Sequence, residues 1–453
     1  MSNELDAFLA SRPGLRFVDL LLHDIHGVDR GKRVDVGSAR SNFANGLLLP
    51  GSMFALDVPG GTVQETGMGF DEGDADRPCL PIAGTLVDVP WLDHGVAQAQ
   101  MTMHERDGRP FAGDPRHALA RVLSQFEPLG FKPVIAIELE FYLIDRERTA
   151  EGLPQPPRSP ISGRREYRTQ INSMLDLDEY SAVLAGIDAA CRAQHVPSTT
   201  ALAEYGPGQF EVNLQHGDDA LLACDQAARF KRIVKCVARH HGMDATFLPK
   251  PYADMAGSGL HVHVSLNDAA GINVFASDHA LGSALMRHAA AGLLATMAEG
   301  MAVFAPLANS WRRFRTEAYV PLTADWSVNN RGAALRVPVS DAANRRLEHR
   351  VAGAEANLYL VVAWILGGIL KGLQDRHLPH APLEGNVYHT QAGGEPLPRY
   401  WPVALDRFEH STFARELFGP ALHRLYSLVK RHELDEFNSH VTARECALYL
   451  PAL

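Results

Sequence analysis

Cysteine, long apolar runs and excess positive charge are all scarce in this 453-residue chain. Its five cysteines, Cys79, Cys191, Cys224, Cys236 and Cys446, are odd in number and never spaced Cys-x-x-Cys, which argues against a disulfide scaffold or a cysteine-ligated zinc motif. The longest apolar stretch, Leu358 to Leu370, is 13 residues; it is too short to cross a bilayer and reads as a buried helix closed by Lys371. The opening "MSNELDAFLASRPG" has neither the basic nor the apolar segment of a secretion signal. A cytoplasmic chain with reduced thiols and no membrane partner is expected. The net charge is −10 and the basic residues are scattered among the acids, so no nucleic-acid partner is expected either. With no repeat or low-complexity tract and 46% hydrophobic residues, the chain reads as globular, in two or more domains.

The first hundred residues alternate short β-like runs ("RFVDLLLHDIHG", "AGTLVDVPW") with Gly- and Pro-rich turns, which predicts a small β-rich domain over residues 1–111. Asp114 then offers a helix N-cap with Pro115 at the first helical position, placing the start of a second domain, 112–453, nearby. Amphipathic periodicity predicts helices at about 115–129, 176–194, 219–241, 279–300 and 354–373. Strand-like segments lie between them, and "EGLPQPPRSPISG" (151–163) reads as an exposed loop.

Strand side chains alternate between faces. In "IAIELEFYL", Ile135, Ile137, Leu139, Phe141 and Leu143 share one face, and Glu138 and Glu140 the other. "QFEVNL" turns Gln209, Glu211 and Asn213 away from its apolar face, "LHVHVSL" does the same with His261, His263 and Ser265, and "RLEHRV" with Arg346, Glu348 and Arg350. "AALRVPV" sets Arg336 opposite Leu335 and Val337. Each pattern alone has an ordinary reading as a solvated strand face, and "RRLEHR" alone reads as a surface helix. Together they describe one cavity lined by carboxylates, imidazoles and guanidiniums. Crowded buried carboxylates protonate unless cations hold them ionised. Glu138, Glu140, Glu204, Glu211 and Glu348 with His261 form an oxygen-rich set that suits Mg²⁺ or Mn²⁺ better than Zn²⁺. Beside Arg331, Arg336 and Arg346, such ions suggest phosphoryl transfer. "GVDRGK" and "GSGLHV" fall short of the phosphate-loop and dinucleotide fingerprints.

The segments "IELEF", "EYGPGQFE", "TFLPKP", "GSGLHVHVSL", "NSWRRF", "NNRGAALRVP" and "RRLEHR", in this order, resemble the glutamine synthetase superfamily. The resemblance implies an α+β fold with a small β-grasp-like N-terminal domain and a larger catalytic domain built on an antiparallel sheet with helices. It also implies homo-oligomeric rings of six, stacked as a dodecamer, with active sites between subunits. Two or three Mg²⁺ or Mn²⁺ ions are implied per site, with Glu140, Glu204 and Glu211 on one metal and Glu138, His261 and Glu348 on the other. Gly257, Arg313 and Arg350 would hold glutamate. His263, Ser265, Arg331, Arg336 and Arg346 would face ATP, with Arg331 also catalytic through the transferring phosphate.

Two positions depart from the ammonia-using pattern. Pro50 stands where those enzymes carry a turn Asp, and Tyr319 where they carry a flap Glu; Glu317 is two residues out of step, while Asp74 matches a further acid of the ammonium site. Asp74 and Glu317 are therefore the candidate proton acceptors, and Pro50, Tyr319 and Asp74 the candidate amine pocket. The pattern is similar to the γ-glutamylpolyamine and γ-glutamylamine ligases, with an ammonia-using glutamine synthetase or a catalytically silent ring as alternatives. Ala256 and the missing Lys in "VSDAANRR" are further departures. Tyr388 lies near the region adenylylated in some members, but that regulation is not expected.

Overall fold

A computed structural model describes residues 2–390 and 393–453. Its first sheet contains β1 (Phe17–His23), β2 (Asp29–Asp35), β3 (Leu47–Pro50), β4 (Asp76–Pro81), β5 (Val87–Asp88) and β6 (Val96–Met103). The strand order is β2-β1-β6-β4-β3, with β5 on β6. β1 and β6 run parallel at the centre, and the other pairings are antiparallel. Helix Val36–Asn45, capped by Asp35 through Ser38 N, covers this sheet with Ala39 and Phe43. The layout is β-grasp-like. This helix and Ser2–Ala10 went unread in the sequence, because the first is short and flanked by Gly37 and Gly46, which read as turns.

The second sheet contains β7 (Lys132–Ile144), β8 (Ser198–Ala203), β9 (Gln209–Leu214), β10 (Asp244–Thr246), β11 (Leu260–Asn267), β12 (Trp326–Val328), β13 (Leu335–Val337) and β14 (Leu347–His349). Its order is β12-β13-β14-β11-β7-β9-β8, with β10 on β7. Within this second sheet, only β12 and β13 pair in parallel among the described residues. The centre of "RRLEHR", Leu347–His349, is strand here, not surface helix: it pairs with β11 and β13 and is buried on both faces. The fold is α+β, as expected.

The apolar face of β7, from Ile135 to Leu143, is buried and packs on helix Ala220–His240, where Phe141 and Phe230 lie 6.2 Å apart. The other side of that helix holds the first sheet: Arg232 Nε donates to Gln98 Oε1 at 3.0 Å, and Gln100 Nε2 to the Asp225 carbonyl at 3.2 Å. The layers therefore run first sheet, helix, second sheet, acidic face. Helix Leu358–Asp375 is long and apolar enough to span a membrane by composition, but 78% of it is buried inside the fold; it is a core helix.

Asp114 caps helix Pro115–Ser124 as its sequence suggested. The predicted 176–194 helix is broken at Tyr180 into Met174–Glu179 and Ser181–Ala193. Tyr180 leaves helical geometry to bury its ring against Phe210 and to donate its hydroxyl to the Pro157 carbonyl. The 279–300 helix starts only at Ala284, where Ser283 caps it after the left-handed Gly282. Helices Trp401–His410, Thr412–Ser439 and Ala443–Tyr449 close the chain, the second kinked at Gly419 and Pro420.

Candidate active site

Strand register sets the acidic face. On neighbouring strands, Glu138 pairs with His261 and Asn213, Glu140 with Glu211, and Glu348 with both His263 and Arg336. Directly opposed residues share a face and bring their side chains within reach. Potential ligand atoms of Glu140, Glu204 and Glu211 lie within 4.8 Å of one another, with Glu204 arriving from the loop after β8. The same holds for Glu138, Glu211 and His261, and for Glu138, His263 and Glu348.

The two ends of this cluster differ in charge balance. Burial works against ionisation of Glu348, yet Arg350, His261 and His263 hold it down at about 2. Its two oxygens are taken by Arg336, at 2.7 Å, and by Arg350. Burial also opposes Glu138, but hydrogen bonds from His261 and His263 hold it well below the usual carboxylate range. His263 Nδ1 accepts from Arg346 Nε at 3.1 Å, so its Nε2 carries the proton that meets Glu138 Oε1 at 2.7 Å.

At the other end, burial and the Glu138, Glu140 and Glu204 carboxylates push Glu211 up to about 9. Burial raises Glu140 against the pull of His261, with Glu204 adding to the rise. Glu204 is raised by burial although the Tyr205 N–H, Arg331 and Arg350 oppose it. Neutral partners only orient these groups: Gly259 N donates to Glu140 Oε2 at 2.8 Å, Gln209 Nε2 to the same oxygen at 3.3 Å, and Asn213 Nδ2 to Glu211 Oε1 at 3.2 Å. One buried and two half-buried carboxylates, short of protein cations, make an all-oxygen donor set whose chemistry fits a hard divalent cation.

Gly257 and Arg313 meet directly: a Cβ at Gly257 would lie 2.7 Å from Arg313 Cγ. Arg313 is buried, which depresses its guanidinium against the pull of Glu355 and Glu140. Arg350 reaches the Arg331 carbonyl through Nε at 3.0 Å. A cavity of about 650 Å³ adjoins the acids, lined by Glu138, His263, Ser265, Asn344 and Arg346 among others. Arg336 and Arg331 lie outside that lining; Arg336 is committed to Glu348, and Arg331 is exposed beside Glu204.

The candidate amine-pocket residues are not gathered in the same way. Pro50 ends β3 opposite Asp76, and exposed Asp74 takes a left-handed φ of 49°. Glu317 and Tyr319 are exposed with φ of 60° and 51°. Among the described residues, no hydrogen bond or ion pair links any of the four to the acidic cluster. The first sheet sits behind the helix that backs the second, away from the acidic face. Sequence reasoning gave no role to Gln209, although its place on the polar face of "QFEVNL" was the available signal, and it assigned His263 to the nucleotide alone.

A buried acidic face on this sheet order, with an N-terminal β-grasp-like sheet, is the architecture of a known family. The chain belongs to the glutamine synthetase family: residues 112–449 match its catalytic domain. It is 41% identical to the γ-glutamylputrescine synthetase PuuA of Escherichia coli K12, over 98% of this chain and 93% of that protein. It is 32% identical to a glutamate–isopropylamine ligase of a Pseudomonas species, over 94% and 93% respectively. A solved GmaS/ADP complex superposes with a TM-score of 0.86 at 29% identity, covering 99% of both chains.

Proposed function

We propose that this protein is an ATP-dependent ligase that joins the γ-carboxylate of glutamate to an organic amine. The observation that carries the reading is the buried acid- and arginine-rich face in a chain so similar, along nearly its whole length, to a γ-glutamylputrescine synthetase.

ATP fits the cavity beside Glu138, with His263, Ser265 and Arg346 on its wall. Glu140, Glu204 and Glu211, and Glu138, His261 and Glu348, would hold two or three Mg²⁺ or Mn²⁺ ions, which would supply charge neutralisation at the phosphates. Arg313 and Arg350 bind the glutamate carboxylates, with Gly257 bare so that backbone and substrate approach closely. The glutamate γ-oxygen attacks the terminal phosphorus of ATP and ADP leaves, giving γ-glutamyl phosphate. Arg331 offsets the charge on the transferring group, while Arg336 holds Glu348 in place beside it. The amine nitrogen then attacks the acyl carbon, inorganic phosphate leaves, and the amine proton passes to Glu317 or Asp74.

Pro50 and Tyr319 give this pocket an uncharged wall where ammonium would need carboxylates, which favours a larger amine. Because the first sheet lies behind its own second sheet, Pro50 and Asp74 complete the acidic face of a neighbouring copy. Six-membered rings stacked as a dodecamer provide that arrangement, with residues 1–111 as the domain that reaches across and 112–453 as the catalytic domain. Asp74 and Glu317 favour a second reading, an ammonia-using glutamine synthetase. Phosphate release with glutamate, ATP and a panel of ammonium, ethanolamine, diamines and monoamines separates the two; turnover with ammonium alone overturns the proposal.

A further inference from the structure

Arg77, on β4, is tied to more of its surroundings than any pairing role requires. Its Nη2 meets Glu72 Oε2 at 3.0 Å, its Nε meets Glu105 Oε2 at 3.3 Å, and its Nη1 donates to the Ala75 carbonyl at 3.3 Å. The guanidinium also lies 4.9 Å from the centroid of Phe111, and the side chain is only 14% exposed. The fifth contact is with Gly51. A Cβ there would stand 2.2 Å from Arg77 Nη1, and Gly51 has no left-handed φ, so a side chain at 51 would displace the guanidinium tip from its seat.

These contacts join two segments. Glu72 and Ala75 flank Asp74, and Gly51 follows Pro50 across the β3–β4 pairing. One planar fork is therefore bonded to the loop carrying Asp74 and packed over the turn carrying Pro50. The fork geometry suits this task and an ammonium does not, because a lysine is a point charge without fixed donor directions. Glu72 and Glu105 offset the cation, so the charge is absorbed locally and does not face an incoming ammonium group.

We propose that Arg77 is a positioning residue for amine selection: it clamps Pro50 and Asp74 into one pocket wall, and Gly51 is the space it needs. This rests on the amine pocket placed above. The clamp sets where the amine nitrogen stands relative to the acyl carbon, and has no part in phosphoryl transfer.

The test compares R77K, R77A and G51A with the parent enzyme, each checked for ring mass by light scattering and for melting temperature. R77K and G51A are expected to raise the amine KM by about tenfold, in line with the cost of a small misplacement. Their glutamate KM is expected to stay within about twofold of the parent's. R77A is expected to exceed R77K in the same direction. An unchanged amine KM in folded R77K and G51A overturns the proposal, as does a parallel rise of glutamate and amine KM with loss of thermal stability. P50D serves as the control for the underlying pocket. If P50D shifts amine against ammonia use while R77K and G51A are silent, only the clamp falls; if P50D is silent as well, the pocket falls with it.

Discussion

On the second sheet, Glu138, Glu140, Glu211, His261 and Glu348 stand on adjacent strands whose reverse faces are packed with apolar side chains. On the first sheet, Pro50 stands at a strand end and Asp74 in an exposed loop, with the Arg77 guanidinium bonded to the Ala75 carbonyl and lying over Gly51. The first region is rigid because each acid is fixed by the ladder beneath it. The second owes its shape to a few side chains at a sheet edge. In the function proposed above, phosphoryl transfer needs exact charge placement and is assigned to the ladder, whereas the choice of nucleophile is assigned to the edge, where a substitution alters the surface without disturbing the core.

The largest expected difference comes from removing one acid. Glu140→Ala is expected to lower turnover by about a thousandfold or more, the scale of losing a group that organises transition-state charge, while the oligomeric mass in solution stays that of the parent. Its metal-free melting temperature is expected to hold or rise, because burial and neighbouring acids penalise that carboxylate in the folded state. A mutant retaining a sizeable fraction of its activity contradicts the assignment of Glu140 to a metal.

The next effect follows pH. Glu211 has a folded value of about 9 against an ordinary 4.5, so its contribution to the metal-free protein is fully present below about 4.5 and is lost as pH rises through about 9. On the proposed assignment a divalent cation replaces the proton there, so the gain in melting temperature on adding Mg²⁺ should grow from pH 6 to pH 9, with protons released on binding. Thermal scans at several pH values with and without Mg²⁺ check this, and a gain independent of pH removes the acid-rich end as the cation site.

The edge should give smaller, selective effects. Pro50→Asp with Tyr319→Glu is expected to shift the ratio of ammonia to amine turnover by about tenfold, roughly 1.4 kcal/mol of discrimination, with glutamate KM little changed. Steady-state kinetics with both nucleophiles measure it; an unchanged ratio means these two positions do not shape the pocket.

Much of the ladder was legible before any coordinates, because period-2 alternation assigns Glu138 and Glu140 to one face and Leu139 to the other without knowledge of neighbours. The register was not legible. That His263 stands across from Glu348, relays Arg346 to Glu138 and so belongs to the acidic cluster as well as to the adjoining cavity depends on pairings between strands far apart in the chain. Local periodicity also missed the break at Tyr180, where a tertiary contact with Phe210 outweighs continuous helix. The edge was least legible: nothing near Gly51 in the sequence signals the Arg77 side chain that occupies its missing Cβ.

The most direct test of the central claim is nucleophile competition: the enzyme, glutamate, ATP and Mg²⁺ are given equal concentrations of ammonium and putrescine or a short monoamine, and the products are resolved by mass spectrometry. The account predicts a γ-glutamyl amide of the organic amine as the main product, with phosphate released in equal amount. Glutamine as the main product, with no amide of any organic amine, contradicts it.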